Sequence, residues 1–242
     1  MRADGRRVAW VTGAGSGMGR AAAVALAPDR RVALSGRRRA VLDETARLVE
    51  RAGGEALVLP LDTRDAESIA AARDEIRAGW GRVDEVVLAA GLNAPKRSWR
   101  DHAMADVEAI IETNLTGTMR VLDAVLPDLR AAGSGHAVVV SSYSAWRFSP
   151  LAGVAYSASK SALASLCQTL NAQEAAAGVR ACHLCPGDVD TEFLRLRPEV
   201  PGEAARAAML SPEDVARAIR FVLDSPAHVR LDELVISPIS QT

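Results

Sequence analysis

Short apolar runs alternate with longer helical patterns along the whole chain, and this alternation limits the fold more than any other feature. Runs such as Val86–Leu88 and Val138–Val140 are apolar at every position, which is typical of strands covered on both faces. Strands that alternate with helices predict a parallel sheet. The predicted strands are Arg7–Val11, Arg31–Ser35, Ala56–Leu61, Glu85–Ala89, Ala137–Ser141, Val179–Cys185 and Glu233–Ile236. The predicted helices are Gly19–Ala27, Arg39–Ala52, Asp65–Gly79, Ala103–Ala131, Ala155–Ala177 and Pro212–Leu223.

The fold class that follows is α/β, with a doubly wound, seven-stranded parallel sheet and helices on both of its faces. A chain of 242 residues is within the size of one such domain, and no repeat, low-complexity segment or linker divides it. Residues 1–242 are therefore expected to form a single domain. The longest stretch without a predicted element is Pro186–Leu210, and loops of this length are usually functional lids or disordered segments.

Charge and hydropathy exclude several classes of protein. The formal net charge is −1 and the charged residues are scattered, so the chain lacks the basic footprint of a nucleic-acid-binding protein. No apolar run approaches the roughly 18 residues of a membrane span, and the run Val8–Val11 after the basic N-terminus is too short for a signal peptide. The sequence therefore predicts a cytoplasmic protein whose partners are small molecules and copies of itself.

The three cysteines are Cys167, Cys182 and Cys185, an odd number that is typical of a reducing compartment. Cys182 and Cys185 match the pattern C-x-x-C, which occurs in redox and metal sites. On the predicted strand, however, positions three apart point to opposite faces. We therefore predict structural cysteines and no metal site.

A glycine-rich turn follows the first predicted strand and precedes a helix. It has glycine at positions 13, 15, 17 and 19, and such a turn lets a pyrophosphate reach the free N–H groups at the helix N-terminus. The spacing G-x-G-x-x-G does not occur, and the observed pattern is T-G-x-x-x-G-x-G. An alanine at Gly17 would put a methyl group where the ligand should lie. The turn predicts a dinucleotide site, and a glycine-rich loop without a ligand is the alternative.

The end of the second predicted strand bears on the choice of dinucleotide. Sites that prefer NAD have an acidic residue here, whereas this chain has Gly36 followed by Arg37, Arg38 and Arg39. The guanidinium of Arg37 would pair with a 2′-phosphate through charge-assisted hydrogen bonds. NADP(H) is therefore the preferred cofactor, and NAD(H) is possible. The alternative is that the arginines are only solvated, which we expect for Arg39.

Tyr156 and Lys160 are the candidate reaction centre. They occur at i and i+4 of a predicted helix and so share one face. A phenol is a poor base, with a pKa of about 10, but a nearby ammonium would lower that pKa and allow proton exchange with a substrate oxygen. Ser142 follows the fifth predicted strand and could donate to the same oxygen. Asn114 lies on an apolar helix face, where a buried amide needs a partner, and a core asparagine is its alternative.

These motifs, taken together and in this order, resemble the short-chain dehydrogenase/reductase family over nearly the whole chain. They are the loop Thr12–Gly19, Asp62, Ala89 to Gly91, Asn114, Ser142, Tyr156 with Lys160, and Pro186–Thr191. The resemblance implies a Rossmann-type fold. It also implies an oxidoreductase that transfers a hydride between NADP(H) and a small-molecule carbonyl or secondary alcohol.

The resemblance further implies a tetrad of Asn114, Ser142, Tyr156 and Lys160. In it Tyr156 is the acid/base, Ser142 polarises the substrate oxygen, Lys160 binds the ribose and tunes the tyrosine, and Asn114 holds a water. Asp62 would contact the adenine, Ala90 and Gly91 the adenosine ribose, and Val189 and Thr191 the carboxamide side. The expected cofactor-binding residues are Gly13, Ser16, Gly17, Met18, Gly19, Arg37, Asp62, Thr63, Ala90, Gly91, Tyr156, Lys160, Pro186, Gly187, Val189 and Thr191.

Two departures from the family's pattern stand out. After the fourth predicted strand the family usually has Asn-Asn-Ala-Gly, whereas this chain has Leu88-Ala89-Ala90-Gly91, which removes amides that tie neighbouring strands together. The interval from Ser142 to Tyr156 is one residue longer than the commonest spacing, and Gly153 is available to absorb the extra residue. Ser144 is therefore an alternative to Ser142.

The substrate loop is expected at about residues 188–210, with Glu192–Leu210 over the nicotinamide and Leu92–His102 on the other side of the pocket. Arginines in this loop could bind an anionic substrate or could be solvated: Arg195, Arg197 and Arg206. Four aromatic residues could line the pocket or pack in the core: Tyr143, Trp146, Phe148 and Phe193.

The helix Ala155–Ala177 has few charged positions on any side, so it needs cover on more than one face. Self-association through this helix and Ala103–Ala131, as a homodimer or homotetramer, is the expected solution. Two alternatives to the oxidoreductase remain open: a non-catalytic dinucleotide-binding regulator on the same fold, and an epimerase or dehydratase, for which a longer chain would be expected.

Overall fold

The computed structural model describes residues 5–241 and contains one parallel sheet of seven strands in the order β3-β2-β1-β4-β5-β6-β7. The strands are β1 (Arg7–Thr12), β2 (Arg30–Gly36), β3 (Glu55–Pro60), β4 (Glu85–Leu88), β5 (His136–Val140), β6 (Arg180–Pro186) and β7 (Glu233–Ile236). In register, Val11 pairs with Leu34 of β2 on one side and with Val87 of β4 on the other. The chain therefore adds β2 and β3 on one side of β1 and the later strands on the other side. This change of side leaves a crevice beyond the ends of β1 and β4.

The helices alternate with these strands. They are α1 (Gly17–Leu26), α2 (Arg39–Arg51), α3 (Ala66–Trp80), α4 (Met104–Ile111), α5 (Gly117–Ala132), α6 (Tyr143–Trp146), α7 (Val154–Glu174), α8 (Glu203–Ala207) and α9 (Pro212–Leu223). A π-helical turn, Glu112–Thr116, joins α4 to α5, and 3₁₀ turns occupy Pro150–Ala152, Ala175–Ala177 and Glu192–Leu196.

Two hydrophobic cores cover the two faces of the sheet. One contains apolar side chains of α1, α2 and α9, such as Leu26, Leu42 and Ile219. The other contains side chains of α3, α5 and α7, such as Ile76 and Leu129. Because successive strand residues point to opposite faces, strands with helices on both sides must be apolar throughout. The predicted fold class, a Rossmann-type doubly wound sheet, is confirmed.

The structure differs from the prediction in two segments. The predicted helix Ala103–Ala131 is divided by the π-helical turn Glu112–Thr116, a widening of the helix that periodicity does not report and that often marks a functional site. The predicted irregular stretch after β6 contains the 3₁₀ turn Glu192–Leu196 and α8. It is held at its base by Leu210, whose N–H donates to Asp188 O at 2.9 Å. Within residues 5–241, no helix combines the length and the apolar character needed to cross a membrane.

Candidate active site

A cleft of about 920 Å³ opens beyond the carboxyl ends of the strands, near the upper end of the range for ligand sites. The glycine turn after β1, the segments that follow β2 to β6 and the first turns of α7 line it. All expected cofactor-binding residues lie on its surface, together with Ser142. Asn114 does not line the cleft and lies behind its wall.

The glycine turn is shaped for close approach of a ligand to the backbone. Gly17, the first residue of α1, has φ +50°, and a Cβ there would lie 3.2 Å from the Thr191 methyl group. Gly13 has φ +67°, and a Cβ there would lie 2.8 Å from the backbone of Ala90. Ser16 precedes α1 without capping it through its side chain, so the first N–H groups of α1 are available to a phosphate. The turn therefore fits a dinucleotide pyrophosphate.

Charged groups surround the cleft beyond β2 and β3. Arg37 and Arg38 line the cleft and are exposed, whereas Arg39 does not line it. Asp62 accepts hydrogen bonds from Arg64, which hold the pKa of its carboxyl below the ordinary value, and the charge of Arg37 contributes in the same direction. A cation and a carboxylate thus stand at the end of the cleft where the sequence predicts the adenosine half of the cofactor.

Tyr156 and Lys160 lie in the first two turns of α7 and both line the cleft. Tyr156 is partly exposed, whereas Lys160 is only 4% exposed. The Lys160 Nζ donates a hydrogen bond of 2.8 Å to the carbonyl oxygen of Val140, the last residue of β5, and lies 5.8 Å from the centroid of the Tyr156 ring. The predicted i, i+4 arrangement is present, with the ammonium directed toward the strand end.

Burial has the largest effect on the pKa values of both Tyr156 and Lys160. Burial raises the pKa of the Tyr156 phenol. The interaction with Ser142 and the charges of Arg97 and Arg197 lower this pKa, but their combined effect is smaller than that of burial. Burial also lowers the pKa of Lys160 to about 8. The charges that act on the phenol in this structure are those of the two arginines, so the expected effect of Lys160 on the pKa of the phenol stays a prediction.

Ser142 is the N-cap of the short helix α6 and remains partly exposed in the cleft. Its Oγ accepts from the backbone N–H of Ser144 at 3.2 Å and from the Ser144 hydroxyl at 3.1 Å, and its interaction with Tyr156 lowers the pKa of the phenol. Ser144 is buried, although it also contributes to the cleft lining. Of the two serines considered from the sequence, Ser142 is the one that acts on the phenol.

Asn114 lies in the π-helical turn and is fully buried. Its Oδ1 accepts from Leu92 N at 2.7 Å, and its Nδ2 donates to Leu92 O at 2.9 Å and to Ser159 Oγ at 3.1 Å. The amide therefore joins the segment after β4 to α7, three residues from Tyr156. The oxygen and the nitrogen of the Asn114 amide thus both have the hydrogen-bond partners that a buried amide needs.

The residues after β4, which differ from the family's usual motif, are still hydrogen-bonded to the neighbouring strand β1. The Thr12 hydroxyl at the end of β1 accepts from Ala90 N at 3.3 Å and donates to Val87 O at 3.5 Å. Gly91 then passes close to the reaction centre, since a Cβ there would lie 3.8 Å from Lys160 Nζ. A threonine on β1 thus supplies a connection where the family usually has amides on β4.

The segment after β6 covers one side of the cleft. Phe193 lies in its 3₁₀ turn with its ring centroid 6.1 Å from that of Tyr156. Gly187 at its start packs against Gln241, whose Oε1 accepts from Asp188 N at 2.8 Å. Of the expected substrate loop, positions 188, 189 and 191–199 line the cleft.

The other substrate candidates divide into two groups. Tyr143, Phe193, Arg195 and Arg197 line the cleft, whereas Trp146, Phe148 and Arg206 do not. Phe148 is 85% exposed, and Arg206 forms an ion pair with Asp190. Among the cleft residues that the sequence analysis did not assign to the site are the charged residues Arg38 and Arg97. The only signal for Arg97 was its place within Leu92–His102, because nothing in the local pattern shows which way a loop side chain points.

The cysteines are all free and buried. Cys182 belongs to one hydrophobic core, whereas Cys185 lies beside the His183 ring, with its Sγ 3.4 Å from Nδ1. Burial raises the pKa of both thiols to about 12, which suppresses the thiolate needed for redox chemistry. His183, Cys185 and Glu233 are close enough to share an ion, but the His183 Nδ1 is already 3.0 Å from the Glu233 carboxylate.

Comparison with known proteins finds relatives over most of the chain. A family model described as short chain dehydrogenase matches residues 7–200. An uncharacterised oxidoreductase of Staphylococcus haemolyticus is 32% identical, in a match that covers 96% of this chain and 97% of that protein. Glycine betaine reductase of Emericella nidulans is 33% identical, and there the match covers 96% of this chain but only 19% of the longer protein.

Solved structures match over the same extent. An alcohol dehydrogenase from the archaeon Thermococcus sibiricus, complexed with 5-hydroxy-NADP, has a TM-score of 0.87 at 34% identity and covers 98% of both chains. A short chain dehydrogenase from Mycobacterium paratuberculosis, bound to NAD, has a TM-score of 0.81 at 26% identity and covers 95% of this chain and 96% of that one. The expected cofactors, NADP(H) with NAD(H) as the second possibility, agree with these two complexes.

Proposed function

Because the chain belongs to the short-chain dehydrogenase family of oxidoreductases, we propose that it transfers a hydride between NADP(H) and a small-molecule carbonyl or secondary alcohol. The observation that carries the proposal is the position of Tyr156. Its phenol interacts with Ser142, which lowers the pKa of the phenol, and it shares with Lys160 and the glycine turn the walls of one cleft.

Tyr156 is the proton donor and acceptor in this proposal. When a carbonyl is reduced, the phenol O–H donates its proton to the substrate oxygen, and in the reverse direction the phenolate accepts it. Burial raises the pKa of Tyr156, so the phenol is protonated at neutral pH and ready to act in the reductive direction. Ser142 donates a hydrogen bond to the same oxygen as negative charge develops on it.

Lys160 and Asn114 support this reaction centre. Lys160 would bind the nicotinamide ribose with the donors that its contact with Val140 O leaves available, since an ammonium has three. Asn114 acts as a positioning residue, because its amide connects the backbone of Leu92 to Ser159 on the helix that carries Tyr156. In the family's scheme it would also hold a water on a proton path.

The cofactor would lie along the cleft with its pyrophosphate on the glycine turn and its adenosine half toward Arg37 and Asp62. Bound NADP(H) supplies or accepts the hydride. Thr63, Ala90 and Gly91 would contact the adenosine, and the segment from Pro186 to Thr191 would contact the nicotinamide. The guanidinium of Arg37 would pair with the 2′-phosphate, because an exposed arginine lines the cleft where NAD-preferring sites carry an acid.

The test of the reaction is a panel of ketones, aldehydes and alcohols followed at the nicotinamide absorbance. Tyr156→Phe is expected to lower kcat by at least about 100-fold, the usual contribution of a general acid or base. Tyr143→Phe is the matched control, because the chain's only other tyrosine also lines the cleft, and it is expected to retain activity. Binding of NADPH without turnover of any compound would favour a regulator on the same fold.

The test of cofactor choice uses neighbouring arginines. Arg37→Asp is expected to raise the KM for NADPH by roughly 10- to 100-fold, the loss of a charge-assisted hydrogen bond, and to improve use of NADH. Arg39→Asp makes the same charge change outside the cleft and should leave both KM values nearly unchanged. Equal effects of the two substitutions would reject a specific 2′-phosphate contact.

Self-association through α5 and α7 is part of the proposal. Ser161, Ser165 and Thr169 lie on the exposed side of α7, and Met119 on α5 is 52% exposed. Small uncharged side chains let two helices approach closely. Light scattering coupled to gel filtration is expected to give a dimer or tetramer, and Ser165→Glu should shift it toward the monomer. The cytoplasmic location stays a prediction.

A further inference from the structure

Arg97 is a partly buried cation for which residues 5–241 supply no hydrogen-bonding or oppositely charged partner. It lies between β4 and α4 and lines the cleft beside Tyr156. Among residues 5–241 its guanidinium makes no hydrogen bond or ion pair, and its Nε is buried without a partner. Burial lowers the pKa of Arg97, and the charge of Arg197 lowers it further. Buried guanidinium groups are normally hydrogen-bonded, so this one is available to a ligand.

The side chain of Arg97 is held against the helix that carries Tyr156. A Cβ at Gly153 would lie 2.7 Å from the Arg97 Cβ and 2.8 Å from its Cδ, and Gly153 itself has φ +91°. Val154, the first residue of α7, donates its N–H to the Arg97 carbonyl oxygen at 3.4 Å. The glycine in the lengthened interval before Tyr156 therefore leaves the space that Arg97 occupies.

A second arginine reaches the same place from another element. Arg197 follows the 3₁₀ turn Glu192–Leu196 and lines the cleft. Its charge acts on both Arg97 and the phenol of Tyr156. Arg197 forms an ion pair with Asp188, whereas Arg97 does not form one within the described residues. Of these three groups, Arg97 is the one without a charged partner among the described residues.

We propose that Arg97, together with Arg197 of the loop after β6, binds a carboxylate of the substrate, so that the enzyme acts on small oxo acids and hydroxy acids. This inference rests on the proposed function and specifies its substrate. A single uncompensated guanidinium balances a monoanion, and its planar pair of donors matches a carboxylate in a bidentate manner. A dianionic phosphate would place more negative charge next to the phenol than a carboxylate does, where it would hinder formation of the phenolate.

The experiment compares acids with neutral compounds of the same skeleton. The probes are 3-oxobutanoate and 4-oxopentanoate, their methyl esters, and 2-oxopropylphosphonate as the dianion. In the wild-type enzyme, kcat/KM is expected to be higher for an acid than for its ester and for the phosphonate. Arg97→Met keeps the length and packing of the side chain but not its charge. It should lower kcat/KM for the acids by roughly 10- to 100-fold and change the esters less than about 3-fold.

Controls separate this inference from the proposed function. Arg100→Met removes an exposed arginine from the same segment, outside the cleft, and should leave all values unchanged. Equal turnover of acids and esters, an equal loss on both in Arg97→Met, or preference for the phosphonate would overturn the carboxylate site while the oxidoreductase remained. If nothing is turned over, calorimetry with 4-oxopentanoate decides: binding that Arg97→Met abolishes supports the site, and no binding to wild type rejects it.

Discussion

Replacement of Lys160 by methionine is expected to stabilise the folded protein at pH 7 while it removes a group proposed to act in catalysis. Lys160 is 4% exposed, and burial lowers the pKa of its ammonium from 10.5 to about 8. At pH 7 the lysine is charged in both folded and unfolded states, so the folded state bears the whole penalty of the buried charge. This lowering of the pKa corresponds to about 3 kcal/mol of lost stability.

Part of this gain is lost with the side chain. Methionine cannot donate to the Val140 carbonyl oxygen, which Lys160 reaches at 2.8 Å, and loss of that hydrogen bond costs about 1 kcal/mol. The free energy of unfolding at pH 7 is therefore expected to rise by about 2 kcal/mol in Lys160→Met. Lys96→Met replaces the chain's other lysine, which is exposed, and should change stability little.

The pH dependence provides the stricter check. Above pH 8 the folded lysine loses its proton before the unfolded one does, so wild-type stability gains about 1.4 kcal/mol per pH unit relative to the variant until pH 10.5. By pH 9.5 the advantage of Lys160→Met should have almost vanished. Urea unfolding at pH 7, 8 and 9.5 measures this. A variant that is less stable than wild type by the same amount at all three values would refute the argument.

Two further predictions concern the sheet and the glycine turn. Burial lowers the pKa of His136 from 6.5 to about 3. The unfolded state therefore binds protons first, and the stability of the folded protein falls as the pH drops below 6.5. Between pH 7 and 5 the wild type should lose about 2 kcal/mol more than His136→Asn in urea unfolding, and equal losses would contradict the lowered pKa of His136. Gly17→Ala places a side chain on a left-handed residue and against Thr191. Calorimetry should therefore find weaker NADPH binding and a stability loss of about 1–2 kcal/mol. Gly79→Ala is the control, because its Cβ would have open space around it, and it should bind NADPH as the wild type does.

The fold was predictable because its strands are buried on both faces. Val86, Val87 and Val138 to Val140 are all buried, and a run without polar interruption is what such a position requires. The ends of elements were also close to those expected: α7 spans Val154–Glu174 where the pattern predicted Ala155–Ala177. Local periodicity determines where a helix or strand lies, so these features did not depend on tertiary information.

The π-helical turn and the fine structure after β6 were not predictable in this way. Asn114 is polar in an apolar helix, and the sequence showed that it needed a partner, but not that the helix widens around it to reach Leu92 and Ser159. Both partners are far from Asn114 in the chain. Only their approach in the folded protein determines the local helix geometry.

The amino-acid sequence by itself determined the sheet, the glycine turn and the order of the residues that surround the cleft, because periodicity and turn chemistry are local properties. The tertiary structure alone decided the electrostatics of the reaction centre. It placed the Lys160 ammonium on Val140 and brought Arg97 and Arg197 to the phenol of Tyr156. The physical reason is that a pKa depends on burial and on charges contributed by separate loops, and neither is encoded in the spacing of residues along one helix.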